Sequence, residues 1–158
     1  MPDGLYHRDF YAWTRAQADI LRTEAARGNN APVDWENVAE ELDSMGRGEW
    51  NQLESRLTVL IVHLLKLLYA EDLRERNARQ WWLTIREQRR MLAKRLRQSP
   101  SLRPVLVEDF GETYTDARET AADETDLPLD RFPIDPPFTY DQALDPGFLE
   151  DLYTSLRR

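Results

Sequence analysis

The run QLESRLTVLIVHLLKLLYA, from Gln52 to Ala70, is apolar almost without interruption between Leu57 and Leu68, broken only by Thr58, His63 and Lys66. A strand would show two-residue alternation. Leucine-rich spacing of this length, free of Gly and Pro, predicts a central helix covered on more than one side. The run is too short to span a bilayer and carries a histidine and a lysine. Upstream, Asp9 is placed to cap a helix reaching about Arg27, with Phe10, Trp13, Gln17, Ile20 and Leu21 along its inner side and Gly28-Asn29-Asn30 to end it. Asp34 is placed to cap a second helix, in which Trp35, Val38, Leu42 and Met45 form the expected packing side. Gly46 and Gly48 leave open whether residues 34–70 form one helix or two.

Downstream, the polar stretch EDLRERN is expected to leave the core. Asn77 and Gln80 have capping-box spacing, which predicts a helix over Asn77–Gln98 with Trp81, Trp82, Ile85, Leu92 and Leu96 on its inner side. Ser99-Pro100 breaks it. Ser101 then caps a helix whose stripe of Leu106, Phe110, Tyr114, Ala117 and Ala121 runs toward Thr125. Beyond residue 127 repeated prolines favour a turn-rich path, with Phe132 and Phe138 as anchors. It is punctuated by a Thr139–Gln142 capping box, a turn at Asp145-Pro146-Gly147 and a last short helix near Leu152. The expected fold class is all-α, a compact helical bundle with about four main helices and a Pro-rich C-terminal extension packed on it. Residues 1–158 are expected as a single domain, of which 127–158 form an extended tail with short helices.

Composition narrows the function classes. The 158 residues include no cysteine, which excludes disulfide frameworks and thiolate metal sites. The start, MPDGLYHRDFYAW, lacks the basic and then apolar character of a secretory signal, so a soluble cytoplasmic protein is expected. The formal charge of −8 is unevenly spread. Residues 74–103 hold 10 basic and 2 acidic side chains, whereas residues 104–158 hold 4 and 14. The basic middle suits a polyanion, the acidic remainder opposes one, and attraction within a single fold accounts for both.

The unusual positions are charged residues on predicted packing faces. Arg89 lies between Ile85 and Leu92 at steps of four and three, and full burial there requires a partner. Glu41, beside the Val38–Met45 stripe, is a sensible one. Arg89 also has the two-donor geometry to bind a phosphate or carboxylate, although no phosphate-cradling glycine sequence accompanies it. His63 is the one histidine inside a strongly predicted element, suited to a core polar contact or to acid–base work in an open pocket. Glu41, His63 and Arg89 are therefore the candidate catalytic or ligand-binding set. No HExxH sequence and no pair of Glu-x-x-His motifs is present, so neither a metal nor another cofactor is expected. Arg86, Arg90 and Lys94, with Arg79 and Arg97, form a basic helix face able to touch a polyanion, or to remain a solvated face. Trp81 and Trp82 cannot both point inward along one narrow line, which makes them candidates for an interface.

These same residues carry a resemblance. VAEELDSMGRGEW (Val38–Trp50), ESRLTVLIVHLLK (Glu54–Lys66), WWLTIREQRR (Trp81–Arg90), SPSLRP (Ser99–Pro104) and FPIDPPFTYDQAL (Phe132–Leu144) resemble the bacterial DUF29 family over nearly the whole chain. The resemblance implies a compact, mainly α-helical fold and a bacterial source, and brings no established mechanism. It points to Glu40, Glu41, Gly46, His63, Lys66, Trp82, Arg89 and Pro100 as motif positions. The chain departs from the family pattern at Leu67-Leu68, where a Trp commonly follows, and at Pro136, where many relatives have Cys.

The leading expectation is a protein-interaction or self-associating helical domain, with a homo-oligomer or another protein as partner and no membrane association. The alternatives are a small-molecule enzyme or ligand-binding protein built on Glu41, His63 and Arg89, and nucleic-acid binding through the basic 77–98 helix. A nucleic-acid partner is disfavoured by the overall charge. Whether the chain is an enzyme stays open.

Overall fold

The computed structural model describes residues 4–158, and among these every regular element is helical. In chain order they are α1 (Leu5–Arg8), α2 (Phe10–Ala26), α3 (Trp35–Tyr69), α4 (Glu71–Gln98), α5 (Leu102–Glu108), α6 (Phe110–Thr125), α7 (Tyr140–Leu144) and α8 (Glu150–Leu156), with a 3-10 turn at Leu129–Arg131. The chain divides into two compact units. One comprises residues through Leu53 together with Arg95–Val105, and the other Glu54–Lys94 together with Leu106–Arg158. The all-α class holds, with eight helices among the described residues in place of about four main ones.

In the first unit the predicted caps form. Asp9 accepts from the Ala12 amide at 2.9 Å, and Gly28, at φ +72°, follows the end of α2. Asp34 accepts from the Asn37 amide at 3.3 Å at the start of α3. Gly46 and Gly48 interrupt nothing, since α3 runs unbroken for 35 residues. Gly46 is needed for another reason: a Cβ there would sit 2.7 Å from the Thr14 hydroxyl oxygen of α2. The buried positions of this part of α3 are Ala39, Gly46 and Leu53, seven residues apart. That corrects the expected packing side, because Val38 and Met45 are exposed. Ile20, expected on the inner side of α2, is exposed as well, while Ala18 and Thr14 are fully buried. Close backbone approach along small residues has displaced the larger side chains from the seam.

Asp9 does more than cap. Its carboxylate also accepts from the Ser101 hydroxyl and amide, both at 2.8 Å, and the neighbouring Ser99 hydroxyl accepts from the Tyr11 amide at 3.2 Å. Ser101, expected as a helix cap, thus donates its hydroxyl to Asp9.

In the second unit the leucine-rich run is enclosed as expected. Leu57, Leu60, Ile61, Val62, Leu64, Leu65 and Leu67 are buried around most of the helix circumference. Here two boundaries differ from expectation. Helix α4 begins at Glu71, one residue after α3 ends, and the Asn77 side chain donates to the Leu73 carbonyl inside that helix instead of capping a new one. The expected 101–125 helix is two, α5 and α6, parted at Asp109, although Leu106, Phe110, Tyr114, Ala117 and Ala121 are all buried. The proline-rich tail is strapped to α6. Tyr114 donates to the Pro133 carbonyl at 2.6 Å, and Arg118 donates to the carbonyls of Phe132 and Leu129 at 2.9 and 3.0 Å. Phe132 and Phe138 are buried, and the Thr139–Gln142 capping box forms reciprocally.

Candidate functional site

Arg89 projects from α4 into the second unit and is 4% exposed. The partner its burial requires is not a carboxylate. Its Nε donates to the Ala143 carbonyl at 2.9 Å, and its two terminal nitrogens donate to the carbonyls of Phe148 and Pro146 at 3.2 and 3.4 Å. The guanidinium carbon also lies 5.8 Å from the centre of the Trp82 ring, on which Tyr153 stacks at 5.0 Å. Burial holds the Arg89 pKa down at about 10, partly opposed by the charge of Asp145, so the group stays cationic at neutral pH. One planar fork thereby fixes the Ala143 carbonyl of α7 and two carbonyls in the turn between α7 and α8.

Beside this brace lies a cleft of about 590 Å³. Arg86 and Arg90 of α4, with Trp82, form one wall; Leu144, Pro146, Gly147 and Glu150 form the other. Gly147 sits in a turn whose amide donates to the Asp145 side chain at 2.9 Å. A cavity of this size, mostly apolar and bordered by a few charges, is the usual form of a ligand site.

Arg86 and Arg90 belong to a longer row. Arg76, Arg79, Leu83, Arg86, Arg90 and Lys94 are all exposed, and their spacing places them within an arc of about 80° over about 27 Å of helix. Glu87 borders the arc. None of these five cations has an ion-pair partner among the described residues.

The other candidate residues are placed differently. His63 is half-buried on α3, and its Nδ1 hydrogen bonds with the Val59 carbonyl at 2.8 Å. Burial, the largest influence, lowers its pKa; the Val59 carbonyl and the Glu124 charge push upward, and the Lys66 charge downward. Lys66 is itself buried, paired with Glu124, and its ammonium is 5.9 Å from the Trp81 ring centre. Trp81 and Trp82, the interface candidates, are 7% and 5% exposed and are covered within the second unit by these partners and by Tyr153. Glu41 is exposed and belongs to the first unit, whereas His63 and Arg89 belong to the second. Among the described residues there is no group of three or more His, Asp or Glu side chains positioned to hold a metal ion. No helix among them is long and apolar enough to cross a membrane.

A family model described as a domain of unknown function, DUF29, matches residues 5–149. The chain belongs to the DUF29 family. This DUF29 chain is similar in structure to an α-helical protein of unknown function from Rhodospirillum rubrum, with a TM-score of 0.74, 22% identity and 95% of each chain covered. That likeness establishes a shared fold. No functionally curated protein matches the chain.

The wall contributed by Leu144–Glu150 carries no motif, and Asp145-Pro146-Gly147 reads as a turn alone. The usable signal was Arg89 itself: a guanidinium on an apolar stripe needs several acceptors, and carbonyls of a turn are an available set. Glu124 as partner of Lys66 had no local signal, being 58 residues away.

Proposed function

We propose that this DUF29 protein is a helical interaction module whose α4 cationic face docks an acidic segment of a protein partner. The observation that carries the reading is the row Arg76, Arg79, Arg86, Arg90 and Lys94, aligned on one helix face without ion-pair partners among the described residues, in a chain of net charge −8. Leu83 supplies an apolar position within the row, suited to an amphipathic acidic helix. Nucleic acid fits less well. Single-stranded nucleic acid draws on exposed aromatic rings for stacking, and Trp82, which lines the cleft beside Arg86 and Arg90, is buried against Tyr153. The net negative charge also opposes a dense polyanion. A bacterial, cytoplasmic setting is part of the same proposal, and the Rhodospirillum rubrum source of the solved neighbour supports its bacterial half.

The test is fluorescence anisotropy of labelled poly-L-glutamate and of a single-stranded oligonucleotide of equal charge, each titrated with the full chain at low and moderate salt. The polypeptide is expected to bind more tightly, with an affinity that falls as salt rises and is abolished by combined Arg79→Glu, Arg86→Glu and Arg90→Glu substitution. Stronger retention of the oligonucleotide, or no binding of either at low salt, overturns the reading.

A further inference from the structure

The cleft beside Arg89 is bounded by further charges of both signs. Arg86 and Arg90, one helical turn apart, and Glu150, in the first turn of α8, all line it. Among the described residues none of the three has an ion-pair partner, so the opposite charges border one cavity while lying beyond ion-pair distance of each other. Two guanidinium groups on adjacent turns make a fork for a carboxylate, and a lone carboxylate facing them across apolar surface is a seat for an ammonium group. The wall that carries Glu150 is held in advance: Arg89 fixes the carbonyls of Ala143, Pro146 and Phe148. The intervening Leu149 is kept at φ +68°, a left-handed conformation uncommon for a side chain of this kind.

We propose that this cleft binds a small zwitterion of the α-amino acid or dipeptide class. Its carboxylate rests on Arg86 and Arg90, its ammonium on Glu150, and its apolar side chain against Leu144, Pro146 and the edge of Trp82. A cavity of about 590 Å³ has room for such a molecule. A purely anionic ligand would meet Glu150 as a like charge, and an amine alone would meet the two arginines in the same way. Arg86 and Arg90 also belong to the face assigned to an acidic partner, so an occupied cleft withdraws two of its five cations, and the two ligands compete.

The experiment is calorimetric titration of the full chain with L-leucine and L-leucyl-L-leucine, followed by the N-acetyl and C-terminal amide forms of whichever binds. Saturable binding below about 10 mM is expected, weakened by about tenfold or more by either modification, the scale of one charge-assisted hydrogen bond. Glu150→Gln is expected to weaken the free zwitterion to the same degree and leave the N-acetyl form unchanged, a selectivity that a merely structural role would not produce. An unchanged urea midpoint establishes that this exposed substitution leaves the fold intact. No saturable binding by either probe up to about 10 mM, equal binding of free and N-acetyl forms, or indifference to Glu150→Gln overturns the proposal. None of these outcomes decides whether an acidic polypeptide binds the α4 face.

Discussion

The two units of the chain close their interiors by opposite means. In the first, the buried set is mostly small or hydroxylated: Thr14, Ala18, Ala39, Gly46 and Ser99, with Leu53 and Leu102. Its order comes from close backbone approach and from one carboxylate, Asp9, shared between the Ala12 amide of α2 and Ser101. In the second, large leucines and aromatic rings fill the interior, and two buried cations are accommodated within it, Lys66 by Glu124 and Trp81, Arg89 by three carbonyls and Trp82. A small-residue seam is vulnerable to added volume. A large-residue interior that encloses charge is vulnerable to removal of the groups that satisfy the charge, or of the charge that satisfies them.

The largest effect expected from this contrast is at Arg89. Arg89→Met keeps much of the buried volume but leaves the carbonyls of Ala143, Pro146 and Phe148 without their donor. It is expected to cost about 3 kcal/mol, the scale for buried polar groups left unmade. Urea unfolding followed by circular dichroism measures the loss, and hydrogen exchange should rise over residues 143–150 first. A midpoint unchanged from the parent would show that the turn between α7 and α8 stands without its brace.

In the first unit the sharpest comparison is between two glycines of one helix. At Gly46 an added methyl meets the Thr14 hydroxyl, whereas at Gly48 it meets nothing. Gly46→Ala is expected to destabilise by about 1–3 kcal/mol through overpacking. Gly48→Ala is expected to stabilise by about 1 kcal/mol through helix propensity. Thr14→Ala combined with Gly46→Ala should recover much of the loss, and the four thermal midpoints together decide whether close approach or backbone flexibility is the reason for glycine there.

The smallest effect is expected at His63. Because its folded pKa is lowered below 6.5, the unfolded chain takes up a proton that the folded chain resists as pH falls through that value. More protons bound to the unfolded state means that stability declines on acidification from 6.5 toward the lowered folded value. Urea midpoints at about pH 7.5 and about pH 5.5 should differ less in His63→Asn than in the parent. An identical difference in the two proteins would remove the histidine from the pH response.

What was legible in the sequence follows the same division. The leucine run predicted its own burial because large apolar residues at helical spacing have few alternatives. The caps at Asp9, Asp34 and Thr139 were legible because a side-chain acceptor next to free amides is a local relation. The α3 seam was not, since alanine and glycine give little periodic signal and Val38 and Met45 mimic a packing stripe while facing water. The start of α4 was missed for a related reason: Asn77 and Gln80 have cap spacing, but a helix already under way satisfies the amides that a cap would serve. At the candidate site, Arg89 was conspicuous while its acceptors were not, because backbone carbonyls 54 to 59 residues away leave no residue-type signature.

The join at Ala70 has a consequence for the whole of α4. Ala70 is fully buried, its amide donates to the Lys66 carbonyl, and its own carbonyl accepts from the Leu73 amide, so the chain passes from a 35-residue helix into a 28-residue one with no loop between them. A helix turns about 100° per residue. With no loop to absorb it, one amino acid added at this join and taken up into α4 would turn the arginine row about 100° around the helix axis. Lengthening is cheap in an ordinary loop; at this position it would put the buried face of α4 out of register with the interior of the second unit.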